Sequence, residues 1–235
     1  MSADLRARVL AAAAAERSPT RAAVRRRNVF MGLVAAASGV GAFVFFAAFV
    51  SEGHLLRLGG EITPQQRLER PVGLAVATAS GALGVAATAV WLALRRGGSM
   101  LGRSRQRLLC GAALIPISLL AWKVGCSLAF GAAMVAWPDR PGERCLALSL
   151  LVAAGPLLSF LAIRRSTPVK PVLNGAVMGF AAGACAWVAA DLWCPVAYVP
   201  HVLLGHVLPL VVLAGAGALL GRAGFRQNPG RRSSG

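Results

Sequence analysis

The chain has 235 residues, of which 57% are hydrophobic and only 14% charged, with a mean hydropathy of +0.65. That composition leaves too little polar surface for a water-solvated domain and points to a membrane protein. The formal charge of +17 does not indicate a nucleic-acid binder, because the arginines lie at the ends of apolar blocks and form no basic stripe interleaved with aromatics. Direct contact with nucleic acid is not expected.

Residues 1–28 form a polar, basic arm. Ser2 can cap a short helix carrying Leu5, Val9 and the alanine run, Asp4 suits its first turn, and Ser18-Pro19 stops it. Leu5, Val9 and Ala12 or Ala13 share one face, with Arg6 and Arg8 on either side. Six apolar blocks follow, at about 29–50, 72–94, 108–137, 144–163, 172–193 and 201–221. Each is long enough to cross about 30 Å of hydrocarbon, and the first is longer than a usual signal-peptide core. The expected fold is therefore all-α, with six transmembrane helices over residues 29–221 and a tail at 222–235.

Basic residues set the orientation, because short Lys/Arg-rich connections resist translocation. The N-terminal arm, the second and fourth connections and the tail hold nineteen of the 25 Lys and Arg. The other connections hold Arg57, Arg67, Arg70, Arg140 and Arg144, offset by acidic residues among which Asp191 is counted. Both termini are therefore expected on the cytoplasmic side of a bacterial inner membrane. Small residues at four-residue intervals mark close helix contacts: Gly175, Gly179 and Gly183 on the fifth span, Gly217 and Gly221 on the sixth, Ser80 and Gly84 on the second.

Chemistry-bearing residues are few. Lys123 is the only basic residue deep within a span, where an unpaired ammonium costs at least about 2.5 kcal/mol. With no acidic residue assigned to the middle of a span, it has no evident partner and makes no ion path. Cys145 opens the fourth span and Cys194 closes the fifth, at the outer surface in this topology, so the two read as a redox- or metal-responsive pair or as two unpaired thiols. His201 and His206 lie near the same edge. With Cys145 and Cys194 they make a possible zinc or copper ligand set, but histidines five apart sit about 140° apart around an α-helix and polar caps at span ends are common, so no metal or cofactor is assigned. Cys110, Cys126 and Cys185 read as small apolar residues. No nucleophile elbow, zinc-protease motif, phosphate loop or intramembrane carboxylate pair is present, and the chain is not expected to be an enzyme.

Arg140-Pro141-Gly142, Cys145, Pro156, Arg164-Arg165, Pro168, Pro171, Gly175, Gly179 and Cys194, in that order, resemble the NrsF family of bacterial six-span anti-sigma factors. The likeness is best from the third span to the end. Leu5-Arg6-Ala7-Arg8-Val9-Leu10 and Ser18-Pro19-Thr20-Arg21 resemble the family's cytoplasmic arm. The resemblance implies that the cytoplasmic side holds an extracytoplasmic-function sigma factor until an envelope or redox signal releases it, with Cys145 and Cys194 as sensing residues. On that reading Leu5, Val9 and Leu10 anchor the partner, and Arg6, Arg8 and Arg21 steer it. The alternatives are a small-solute or ion transporter or channel, or an assembly scaffold, of which the first would need a continuous polar path near the midplane.

Overall fold

The computed structural model describes residues 21–46, 48, 71–94, 105–130, 142–164, 170–194 and 196–226. These form helices α1 (Arg21–Phe45), α2 (Val72–Leu94), α3 (Arg105–Ala129), α4 (Glu143–Arg164) and α5 (Pro171–Trp193). The last span is composite: a short helix α6 (Val199–Val202), a π turn (Leu203–Val207) and α7 (Leu208–Arg226). There are no strands among the described residues, and six helices are long and apolar enough to cross a membrane. That agrees with the expected all-α, six-span fold; helices are also the only open-chain form whose backbone polar groups are satisfied within one segment in lipid.

α5 is the hub. Twelve of its residues are buried, and it packs against α2, α3, α4 and α7. Its closest neighbour is α7. A Cβ on Gly175 would strike the carbonyl of Gly217, one on Gly179 the carbonyl of Leu213, and one on Gly217 the carbonyl of Gly175. Gly183 sits 3.2 Å from the Leu210 Cα by the same measure, and a Cβ on Gly221 would meet the Pro171 carbonyl. The glycine faces expected on the fifth and sixth spans therefore do form a seam, in which missing side chains let the backbones touch.

The second span differs from expectation. Ser80 and Gly84 are exposed, and a Cβ on Gly84 would meet nothing within 4 Å. The buried stripe is instead Leu74, Thr78, Ala82, Ala86, Ala89 and Ala93. Alanines already permit close packing, so the small polar pair is not needed at the contact. On the next helix, Ala112, Ile115, Leu119, Lys123 and Ser127 form the buried stripe of α3. The Trp122 indole of that helix donates a 2.9 Å hydrogen bond to the Ala77 carbonyl of α2.

Asp191 also corrects the sequence reading. α5 continues to Trp193, so Asp191 lies inside the bundle, 1% exposed, and not in an outer connection. Its carboxylate accepts a 2.6 Å hydrogen bond from the Lys123 ammonium, which also reaches the Cys194 carbonyl at 3.4 Å. Lys123 is thus paired, and the pair ties α3 to α5.

α1 stands at the periphery and packs chiefly on α4, where Gly39 meets Val152 and Pro156, and Gly155 meets Ser38. Near its far end Phe43 and Phe46 make edge contacts at 6.1 Å with Trp193. A groove of about 1100 Å³ remains between α1, α2, α4 and α5, with Asn28, Val90, Pro156 and Leu192 among its lining residues. The helix begins at Arg21, so Arg25, Arg26 and Arg27 are exposed residues of its first turns.

Breaking a buried ion pair strands one charge, whereas replacing both partners with apolar groups strands none. Lys123→Met and Asp191→Leu alone are each expected to lower stability by about 3–5 kcal/mol, and the double variant by much less. Denaturant unfolding of the purified protein in detergent measures the cycle. Additive losses would show that the pair is not coupled.

Candidate functional site: a thiol–imidazole cluster at one end of the bundle

The polar chemistry of the bundle gathers where α4 begins, α5 ends and the last span begins. Cys145 is in the first turn of α4. Cys194 caps α5: its N–H donates to the Ala190 carbonyl at 2.8 Å, but its φ of −101° and ψ of 111° are extended. Pro195 explains this, since a following proline disfavours the α conformation. His201 lies in α6 and His206 in the π turn.

The π turn overturns the angular objection to a ligand set. Within i→i+5 hydrogen bonding, residues five apart lie nearly above one another, whereas in an α-helix they diverge. His201 and His206 accordingly face the same way, with ring centroids 5.9 Å apart. The cause is legible downstream. Pro209 has no N–H to give the Gly205 carbonyl and its ring crowds that carbonyl, so the turn before it widens, with the Leu208 N–H bonding to the Leu203 carbonyl.

The Sγ of Cys194 is 3.1 Å from Nε2 of His201, and the Sγ of Cys145 is 3.6 Å from the same nitrogen. With His206 included, the four residues each bring one donor atom to within 4.8 Å of the others, and all four are buried. Close approach of α4 to the π turn makes this geometry available: a Cβ on Gly142 would lie 2.6 Å from the Gly205 nitrogen, and one on Gly205 2.8 Å from the Cβ of Cys145. Val196 and Tyr198 pack around the thiols, and Trp187 packs on His206 at 5.1 Å. Hydrogen bonding with Cys145 is the largest influence on Cys194 and holds its thiol well below the ordinary value; burial opposes this and the His201 contact adds to it. Favouring the thiolate favours both nucleophilic and metal-ligating chemistry.

The expected sensing residues, Cys145 and Cys194, are therefore brought together, and His201 and His206 join them. The four-residue ligand set is only weakly signalled in the sequence because a regular helix would part the histidines, and the residue that argues against a regular helix is Pro209. The partner-binding residues Leu5, Arg6, Arg8, Val9 and Leu10 lie outside the described residues, as does the side chain of Arg21. Cys185 is half-buried within α5, away from the cluster, which fits its reading as a small apolar residue.

Fold and cluster together define a polytopic helical membrane protein with a thiol–imidazole cluster at one end of the bundle. A family model described as negative regulator of sigma F matches residues 10–226, and the chain belongs to this NrsF family. No curated protein and no solved structure matches the chain.

The proximity has a direct chemical test. In a chain whose other three cysteines are replaced by serine, dibromobimane, which fluoresces on bridging two thiols, is expected to link Cys145 to Cys194. Gly205→Val, which drives the π turn off α4, is expected to reduce bridging several-fold while α5 and α7 stay in contact. Equal bridging in the valine variant would show that the Gly142–Gly205 contact does not set the thiol geometry.

Proposed function

We propose that this protein is an inner-membrane anti-sigma factor that holds an extracytoplasmic-function sigma factor at the cytoplasmic face and releases it when Cys145 and Cys194 respond to an envelope or redox signal. The observation that carries the reading is the family membership across residues 10–226, joined to a buried two-cysteine centre at one end of a six-helix bundle. The part played by the protein is sequestration and not catalysis.

The charge distribution supports a cytoplasmic location for both termini. Arg25, Arg26 and Arg27 are exposed at the start of α1, and the cysteine cluster lies at the opposite end of the bundle, on the outer side in this orientation. α4 supports a route between the two. It begins at the cluster and carries, along its length, the contacts with α1, the helix that continues from the arm. A change at Cys145 that shifts α4 would alter how α1 presents the arm, provided the two positions of the bundle bind the sigma factor with different affinity. Leu5, Val9 and Leu10 would anchor an apolar groove of the partner, while Arg6, Arg8 and Arg21 would favour an acidic rim.

Topology reporters fused at the N-terminus, after Arg103, after Pro168 and at the C-terminus are all expected to report cytoplasm. A periplasmic signal from any of them would reject the orientation.

Deleting residues 2–20 leaves α1 and its arginines intact and is expected to abolish capture of the sigma factor while the protein stays inserted at equal abundance. Co-purification and target-gene transcription, full chain against truncation, measure this. Undiminished capture would move the binding surface to the cytoplasmic connections, and no captured sigma factor with the full chain would end the anti-sigma reading.

A further inference from the structure

We propose that Cys145, Cys194, His201 and His206 form a four-coordinate binding site for one d10 metal ion, Zn2+ or Cu+, at the end of the bundle. Ligation itself does not depend on the anti-sigma reading; only its use as a signal would.

The donors lie near the ion's geometry, and ligation would need small side-chain shifts, of up to about 1 Å in the longest donor separation. Tetrahedral zinc with bonds of about 2.3 Å to sulfur and 2.0–2.1 Å to nitrogen places its donors roughly 3.3–3.8 Å apart. The two Sγ–Nε2 distances here are 3.1 and 3.6 Å, and all four donors already lie within 4.8 Å. His201-x4-His206 has the histidine spacing of zinc sites, and the π turn supplies the common direction that a regular helix would deny.

His206 provides an independent sign. It is 1% exposed, yet among the described residues neither ring nitrogen has a partner at hydrogen-bond distance, with the Cys194 thiol nearby. Leaving a buried imidazole unsatisfied is costly, and native proteins rarely tolerate it. Trp187 packs on the ring at 5.1 Å. A metal ion would supply the partner that the described residues do not.

Charge and softness narrow the ion. Two thiolates and two neutral imidazoles carry −2, which Zn2+ cancels, and a neutral site is what burial among Val196, Trp187 and Val202 requires. With Cu+, one retained thiol proton gives the same neutrality. Both ions suit sulfur and imidazole donors and impose no d-electron geometry, unlike hard oxygen-seeking Mg2+ or Ca2+. The surroundings also orient the ligands: Lys123 fixes the Cys194 carbonyl, and the Gly142–Gly205 contact fixes the start of α4 against the π turn. His201, at 8% exposure the most accessible of the four, marks the entrance.

The test uses the full-length protein in detergent, reduced, stripped with a chelator and handled without oxygen. ZnCl2 and Cu+ are titrated separately against competing chromophoric chelators, and Co2+ serves as a spectroscopic probe. One ion per chain is expected, with Co2+ giving the intense visible bands and sulfur charge transfer of a tetrahedral thiolate–imidazole site. Tighter binding of Zn2+ assigns zinc and the reverse assigns copper. Cys145→Ser and Cys194→Ser are expected to abolish binding, and His201→Gln and His206→Gln to weaken it at least tenfold. Should His206→Gln fail to fold, the wild-type Co2+ spectrum alone decides the donor set. Absence of a stoichiometric ion of either kind, or unchanged affinity in both folded histidine variants, would overturn the site. Metal binding without any captured sigma factor would leave it standing.

Discussion

Everything at the functional end depends on how closely α5 and α7 approach. Lipid tails are as apolar as the leucines and alanines they solvate, so no hydrophobic force drives helices together in a membrane, and contact must come from packing itself. Gly175, Gly179 and Gly217 provide it by bringing carbonyls and α-carbons into direct apposition. Because α5 ends at Trp193 and the last span begins at Val199, that seam also brings Cys194 near both histidines. A looser seam would leave the same residues in the same order and no cluster.

The second constraint is electrostatic. Lys123 and Asp191 would each be prohibitive alone in the bundle, but together they fasten α3 to the last turn of α5, one residue pair below the cluster. The ammonium's further bond to the Cys194 carbonyl joins the ion pair to the thiol centre, so the two features share a backbone segment. α1, by contrast, leans on α4 along one edge and leaves the broad apolar groove on the other. The bundle is therefore tightly built at α5 and sparsely held at the helix nearest the N-terminal arm.

Much of this was legible in the chain, for identifiable reasons. Length and hydropathy sufficed for six spans, because the bilayer imposes them on any sequence that enters it. Glycine spacing sufficed for the α5–α7 seam, because only glycine permits that approach. Ser80 and Gly84 misled because small residues are permissive and do not say which face is buried; the alanine stripe of α2 carries the contact. Asp191 misled because an acidic residue two places from the end of the 172–193 block reads as part of the outer connection, and only the tertiary fold shows Lys123 within reach. The histidines misled for a different reason: helical angles assume a regular helix, and here Pro209 removes the bond that would keep it regular.

That local departure has a consequence for how such a chain can change over generations. A π turn amounts to one residue more than an α-helix needs, so loss of one of residues 203–205 would bring the segment into α-helical register, short only of the bond that Pro209 cannot make, and leave the glycines of α7 in place. The six-span architecture would survive, and the two imidazoles, then four residues apart, would still share one face of the helix. The common direction of the two imidazoles can therefore be reached by two spacings, five residues across a π turn or four on a regular helix, whereas Cys145 and Cys194 sit at helix ends whose positions the bundle itself dictates.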